Sequence, residues 1–226
     1  MNKEFFFKVC DDELNKRTKE LPVLEDLNTT YHKQAFVLMI YAAFEGFVYK
    51  IATSFYDLLK TEQDKGKKIN AHYSFCLNLY CKENIQDKKI KKVLWKYFSF
   101  FKKNAFKKEN QSLIDTNDNL GYEAFKYILF LLNISEFSNI DTNFYSKTLK
   151  EAKEKTERNY YFYKDIINEL LEKRNDIAHG NSKIFQENFL KQEKIKEMSN
   201  AILVVLRNLK ANLIDIIDNE KYILDS

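Results

Sequence analysis

An arginine, an asparagine and a histidine lie close together at the end of one predicted helix. Asn175 directly follows Arg174, and His179 stands four residues further on, just before Gly180. A histidine can accept or donate a proton near neutral pH, and a guanidinium can stabilise negative charge that develops on a phosphate. The three side chains therefore suit metal-independent RNA cleavage, in which the 2′-hydroxyl attacks the adjacent phosphate. No cluster of carboxylates accompanies them in the sequence, which argues against a two-metal nuclease.

Arg174 also occupies a position where the helical pattern predicts an apolar core residue. At about 100° per residue it shares one narrow stripe with large side chains, namely Tyr163, Ile167, Leu170 and Ile177. A buried guanidinium without an anionic partner is costly, so we expect Arg174 to pair with an acid or to bind an anionic ligand. Glu45 is the predicted partner, because its neighbours on an earlier helix are apolar and none of them is basic.

A purely structural interpretation of the same residues stays open. Arg174 and Glu45 would then only stabilise the helical bundle. His179 would be a cation that the helix dipole favours at the C-terminal turn, and Gly180 would end the helix. The spacing of an arginine and a histidine alone does not separate the two interpretations.

Helical periodicity predicts four long helices that position these residues. They are expected over residues 3–20, from the capping sequence Asn28-Thr29-Thr30 to about Lys60, from about Ser146 to Gly180, and over about Gln186 to Asp218. The centre of the second helix is apolar on all sides, so we expect it to be buried inside the bundle. The predicted fold is all-α, a four-helix up-and-down bundle.

The composition favours the same fold class. Of the 226 residues, 45% are hydrophobic, whereas four are Gly and one is Pro, too few turn-formers for a hairpin-rich sheet. We predict a single domain over residues 1–226, with its core at about 1–60 and 146–218. Residues of about 61–145 are predicted to form a helical insertion between core helices 2 and 3, with short helices near 70–81, 85–107 and 120–133.

The N-terminus and the cysteines indicate a cytoplasmic location. An apolar run of only three residues, Phe5–Phe7, precedes several acids, so a signal-peptide core is not expected. Three cysteines are an odd number and do not form the disulfide framework of a small secreted domain. The longest nearly apolar stretch, Ala35 to Tyr49, contains Glu45 and is too short for a membrane span. We therefore expect no membrane partner.

The predicted insertion contains a strongly basic segment. Residues 82–108 carry ten lysines against two acids, a local charge of +8 in a chain whose net charge is +4. Aromatic residues lie between these lysines, and such a mixture attracts polyanions and offers surfaces on which bases stack. The alternative is an amphipathic helix with a core aromatic face and a solvated lysine face. We predict RNA contacts at Lys88, Lys89, Lys91, Lys92, Lys96, Lys102 and Lys103.

The sequence Arg-Asn-Asp-Ile-Ala-His-Gly at residues 174–180 resembles the signature of the HEPN superfamily. That signature is an arginine, a polar residue directly after it, and a histidine four to six residues further on, matched by Arg174, Asn175 and His179. Glu45 resembles the polar or acidic residue that the superfamily often carries on an earlier helix. The resemblance covers roughly residues 1–60 and 146–218. It is closest to bacterial HEPN-like nucleases found near toxin–antitoxin and phage-defence genes.

The resemblance implies a homodimer in which two motifs face each other across one composite cleft and cleave RNA with neither metal nor cofactor. By analogy, His179 would handle protons, Arg174 would stabilise the phosphate, and Asn175 would orient the histidine or the scissile phosphate. A toxin or antiphage role implies an antitoxin or defence-system partner protein. Because some members have lost catalysis, the alternative is a non-catalytic HEPN module that binds RNA, a nucleotide or a partner protein.

Overall fold

The computed structural model describes residues 1–21, 29–81, 120–134, 158–180 and 191–224, with the backbone alone at 78–81 and 158–163. Their regular structure consists of six helices, apart from an isolated antiparallel bridge between Ile69 and Ile223. The helices are α1 (Lys3–Glu20), α2 (Thr30–Asp64), α3 (Ala71–Cys81), α4 (Tyr122–Leu131), α5 (Arg158–Ala178) and α6 (Gln192–Asp218). The predicted all-α fold is confirmed.

Four of these helices form the bundle. The long α2 packs against α1, α5 and α6, and α6 also packs against α1 and α5. The two shorter helices lie outside this group, α3 against α2 and α4 against α5. This arrangement is the four-helix bundle that the sequence predicts.

The helix ends follow the predicted capping residues. The Thr29 side chain accepts a hydrogen bond of 3.2 Å from the amide of His32 and so caps α2. α5 stops at Ala178, and Gly180 then adopts a φ of +62°, a left-handed conformation that glycine tolerates best. α2 runs to Asp64, a little beyond the predicted end at Lys60.

The predicted start of the last helix at Gln186 is wrong. α6 begins at Gln192, because the backbone of Lys191 is extended, with φ −68° and ψ 132°, and cannot continue a helix. The buried stripe of α6 also begins only at Ile195. Of the short helices predicted in the insertion, two correspond to α3 and α4, and the one over residues 85–107 lies outside the described residues.

Aromatic side chains join α1, α2 and α3 in the core. The Phe6 ring meets the Phe55 ring edge-on at a centroid distance of 6.2 Å, and Phe55 meets Tyr73 in the same way at 5.5 Å. Edge-to-face pairs of this kind contribute beyond the apolar area that they bury. Phe55 on α2 is therefore the shared partner through which α1 and α3 are joined to α2.

The prediction that the centre of α2 is buried on all sides is wrong. Leu38, Met39 and Tyr49 are 38%, 41% and 43% exposed, and Ala42 is also exposed. These four residues, called here the exposed α2 face, remain uncovered because α1, α5 and α6 pack against the other sides of the helix. α2 is long and apolar enough to cross a membrane, but 56% of its most apolar window is buried, as in the core helix of a soluble protein.

Candidate active site

The first two residues of the motif contact each other in the last turns of α5. Arg174 and Asn175 are both half-buried, and Nη1 of Arg174 donates a hydrogen bond of 2.9 Å to Oδ1 of Asn175. The backbone carbonyl of Asn175 accepts a bond of 2.9 Å from the amide of His179. The three motif residues therefore lie within about one and a half turns at the end of the helix.

Arg174 lies over an aromatic ring of α2. Its Cζ is 5.2 Å from the centroid of the Tyr41 ring, a distance at which a cation is attracted to the face of the ring. Tyr41 is only 4% exposed. Among the described residues Arg174 makes no ion pair, so neutral groups hold its side chain.

The hydroxyl of Tyr41 connects two further parts of the site. It donates to Oε1 of Glu45 at 3.3 Å and accepts a hydrogen bond of 2.6 Å from the backbone amide of Leu120. Glu45 is half-buried and lies one turn after Tyr41 on α2. The predicted direct pairing of Arg174 with Glu45 is therefore wrong, because the Tyr41 side chain lies between them and contacts both residues.

Burial and two charges act on the Tyr41 hydroxyl. Desolvation and the neighbouring Glu45 carboxylate raise its pKa to about 12, against smaller lowering effects from the Leu120 amide and the Arg174 guanidinium. The phenol therefore keeps its proton at neutral pH and can donate to Glu45. Sequence reasoning missed Tyr41, although its position four residues before the predicted acid places both on adjacent turns of the same helix.

His179 is exposed just beyond the end of α5. Its backbone still belongs to the last hydrogen-bonded turn, whereas Gly180 turns the chain away. A ligand in solution can therefore reach the imidazole. By its chemistry an exposed imidazole can transfer protons, and a half-buried guanidinium can stabilise negative charge.

The start of α4 packs against the helix that carries the motif. The amide of Tyr122 donates a hydrogen bond of 3.3 Å to Oδ1 of Asn168. A Cβ placed on Gly121 would lie 2.8 Å from Cδ2 of Leu171, closer than real Cβ atoms approach their neighbours. Glycine at position 121 thus permits a close approach between α4 and α5, about one turn before Arg174.

The predicted RNA-binding residues all lie outside the described part of the chain. They are Lys88, Lys89, Lys91, Lys92, Lys96, Lys102 and Lys103. Within the ranges that the structure does describe, no three His, Cys, Asp or Glu side chains form a group that could hold a metal ion. The side chains brought together by the fold are a guanidinium, an amide, a phenol and a carboxylate, with an imidazole at the exposed helix end.

The fold and the motif define a class of protein, an all-α bundle that carries an arginine–polar–histidine motif at the end of a core helix. A family model described as RiboL-PSP-HEPN matches residues 12–215 of the chain. The chain belongs to this HEPN family. The match also runs through residues 61–145, which the sequence predicts to be an insertion. No curated protein and no solved structure shows a significant match.

Proposed function

We propose that the protein is an endoribonuclease that cleaves RNA without a metal ion. Membership in the HEPN family suggests a nuclease or an RNA-binding module. The observation that carries the finer proposal is the arrangement at the end of α5. There Arg174 rests on Tyr41 and contacts Asn175, and His179 is exposed one turn further on.

In the proposed reaction the 2′-oxygen of a nucleotide attacks the adjacent phosphorus. A neutral imidazole accepts the proton of the 2′-hydroxyl, the bond from phosphorus to the 5′-oxygen breaks, and an imidazolium donates a proton to that oxygen. The products are a 2′,3′-cyclic phosphate and a 5′-hydroxyl. Arg174 stabilises the charge on the phosphate oxygens, and Asn175 and Glu45 orient the reacting groups.

We further propose that two copies of the chain form one composite site. Arg174 and His179 are five residues apart and so project about 140° from each other around the helix axis, which makes it difficult for one copy to surround a phosphate. The exposed α2 face supports this proposal. Its uncovered apolar residues lie beside Glu45 on the same helix, at the edge of the candidate site.

A cellular role follows as a further proposal. A ribonuclease that acts on the RNA of its own cell must be controlled, which suits a cytoplasmic toxin or antiphage effector with an antitoxin or defence-system partner protein. The alternative is a non-catalytic HEPN module, for which the basic segment at residues 82–108 is the favouring observation. Such a module would bind RNA and leave it intact.

Cleavage in the presence of EDTA tests the proposed reaction. Purified protein should cut total or transfer RNA and leave a 2′,3′-cyclic phosphate. His179→Ala should reduce the rate by about 10²- to 10⁴-fold, because it removes the proton-transfer group. Far-UV circular dichroism should show the same fold for both proteins, since His179 is exposed. Equal cleavage by the two proteins, or RNA binding without cleavage by the wild type, would contradict this function.

Sedimentation of a variant with a charged α2 face tests the composite site. Leu38→Glu places a carboxylate on the exposed α2 face and should convert a dimer into a monomer that no longer cleaves RNA. Phe5→Glu is the matched control, since Phe5 is an exposed apolar residue on α1. The composite site would be ruled out by a wild-type protein that sediments as a monomer at micromolar concentration and still cleaves RNA.

A further inference from the structure

Tyr41 contacts three separate parts of the candidate site. Its ring lies under the guanidinium of Arg174 on α5, and its hydroxyl bonds to Glu45 on α2 and to the backbone amide of Leu120 just before α4. The side chain is almost completely buried. Its position is therefore fixed at both ends, by packing around the ring and by two hydrogen bonds at the hydroxyl.

The ring holds Arg174 without neutralising its charge. A carboxylate partner would occupy several of the five guanidinium donors and cancel the positive charge. An aromatic face attracts the cation through its quadrupole and leaves the in-plane donors accessible. Within the described residues, the single hydrogen bond of the Arg174 side chain goes to Asn175. The remaining donors can contact phosphate oxygens.

The hydroxyl connects Glu45 with the start of α4. It donates to the Glu45 carboxylate and accepts from the Leu120 amide. The pKa of Tyr41, raised to about 12 mainly by burial, keeps the hydroxyl protonated over the whole neutral range, so both bonds persist there. Leu120 and the Tyr122–Asn168 contact together anchor this end of the predicted insertion beside the motif.

We propose that Tyr41 is a positioning residue of the active site. Its ring orients the Arg174 guanidinium toward the scissile phosphate, and its hydroxyl fixes Glu45 and the chain before α4 around the same site. This inference rests on the proposed ribonuclease function. Tyr41 acts through Arg174 and Glu45 and need not touch the RNA itself.

Two substitutions separate the ring from the hydroxyl. Tyr41→Leu removes both, and kcat for RNA cleavage should fall about 100-fold with a KM change of less than about threefold, because the reacting groups lose their alignment. Tyr41→Phe keeps the ring under Arg174 and loses the two hydroxyl bonds. Its kcat should fall by a smaller factor, about tenfold.

The contact between the ring and the guanidinium has a spectroscopic signature that does not depend on activity. The Nε–Hε resonance of Arg174 should be shifted by the ring current in the wild type and in Tyr41→Phe, and this shift should disappear in Tyr41→Leu. The chain contains only four arginines, so Arg174→Lys identifies the resonance by its loss. An unchanged Arg174 resonance in Tyr41→Leu would overturn the proposed role of the ring.

Tyr56→Phe is the matched control for a lost buried hydroxyl. Tyr56 also lies on α2, is fully buried, and donates a hydrogen bond of 2.7 Å to the carbonyl of Leu131. Both Tyr56→Phe and Tyr41→Phe should lower the melting temperature, because each loses a buried hydroxyl. Tyr56→Phe should nevertheless keep the wild-type kcat. The inference is wrong if Tyr41→Leu is fully active, or if Tyr41→Phe and Tyr56→Phe reduce kcat equally. An inactive wild-type protein would instead contradict the proposed function itself.

Discussion

Two arginines contact α2 from different neighbouring helices, and the fold holds them in opposite ways. Arg17 on α1 forms ion pairs with Glu13 at 3.3 Å and with Glu20 at 2.9 Å, and its side chain is 15% exposed. Arg174 on α5 lies over the Tyr41 ring and bonds to the neutral amide of Asn175. One guanidinium is balanced by two carboxylates, and the other is held by uncharged groups.

This difference favours a structural role for Arg17 and supports the proposed functional role of Arg174. The acids that balance Arg17 belong to its own helix, so its charge is already neutralised in the folded protein. Arg174 is partly desolvated but keeps its charge, and such a group gains most from an anionic ligand. A phosphate beside Arg174 would take the place that Glu13 and Glu20 occupy beside Arg17.

Glu62 is also a charged side chain that ion pairs hold in place, here a buried carboxylate between two lysines. Its side chain is 5% exposed and accepts from Lys65 at 2.9 Å and from Lys67 at 2.5 Å. Lys67 also contacts Glu220, which receives a hydrogen bond from Lys3. This network joins the end of α2 to both ends of the described chain. Buried charge at this end of the bundle is therefore paired directly with opposite charge.

The largest expected effect is the loss of activity on removal of Arg174. Arg174→Ala should reduce cleavage by about 10²- to 10³-fold, because the phosphate loses its electrostatic stabilisation. It should lower the free energy of unfolding by about 0.5–2 kcal/mol, the range that cation–ring contacts cover between exposed and desolvated sites. The two quantities are measured by the RNA cleavage rate and by urea denaturation.

The opposite result is expected for Arg17. Arg17→Ala removes the guanidinium that pairs with Glu13 and leaves Glu20 with only Lys16, whose Nζ is 4.0 Å from Oε1. The substitution should lower the free energy of unfolding by about 1–3 kcal/mol, with the cleavage rate of the folded protein unchanged. Arg207→Ala, at an exposed position on α6, serves as the control for both quantities. The distinction between the two arginines fails if Arg17→Ala abolishes cleavage in a protein that is still folded.

The sequence predicted the helices better than it predicted the contacts of the site. Periodicity and capping residues located α1 and the N-terminus of α2, since both signals are local. The Arg174, Asn175 and His179 motif was also visible, because it lies within one and a half turns. The link through Tyr41 required the packing of α5 on α2, which no local pattern contains. The exposed α2 face was missed for the same reason, because an apolar pattern does not show which side a neighbour covers.

An intermediate effect, on stability alone, is expected for Glu62→Gln. Burial raises the pKa of Glu62, but the hydrogen bonds from Lys67 and Lys65 together lower it by more. The pKa of Glu62 is therefore below its ordinary value. Because its pKa is lower in the folded than in the unfolded protein, ionised Glu62 stabilises the fold at pH values above its ordinary pKa of about 4.3. This contribution is lost as the pH falls below that value. At pH 7 the substitution should lower the free energy of unfolding by about 1–2 kcal/mol.

The pH dependence distinguishes this ion pairing from a simple packing loss. The difference between wild type and Glu62→Gln should shrink steadily as urea denaturation is repeated at pH values below about 4.3. Glu197→Gln, at an exposed position on α6, should show no such dependence. A difference that stays constant down to the lowest pH at which the protein folds would mean that Glu62 acts through packing and not through its charge.

The smallest effect is expected at Gly46 on α2, which lies next to the guanidinium of Arg17 on α1. A Cβ at this position would lie 3.3 Å from Nη2 of Arg17, so Gly46→Ala requires a small displacement of a guanidinium that two carboxylates hold. Alanine also favours the helix by about 1 kcal/mol relative to glycine. The two contributions oppose each other, so the net change in unfolding free energy should stay below about 1 kcal/mol.

In the Arg17→Ala background the steric cost is absent, and the same substitution should then stabilise the protein by about 0.5–1 kcal/mol. Urea denaturation of the four proteins of this cycle measures the coupling, and a coupling of zero would show that the Arg17 guanidinium is not fixed against α2.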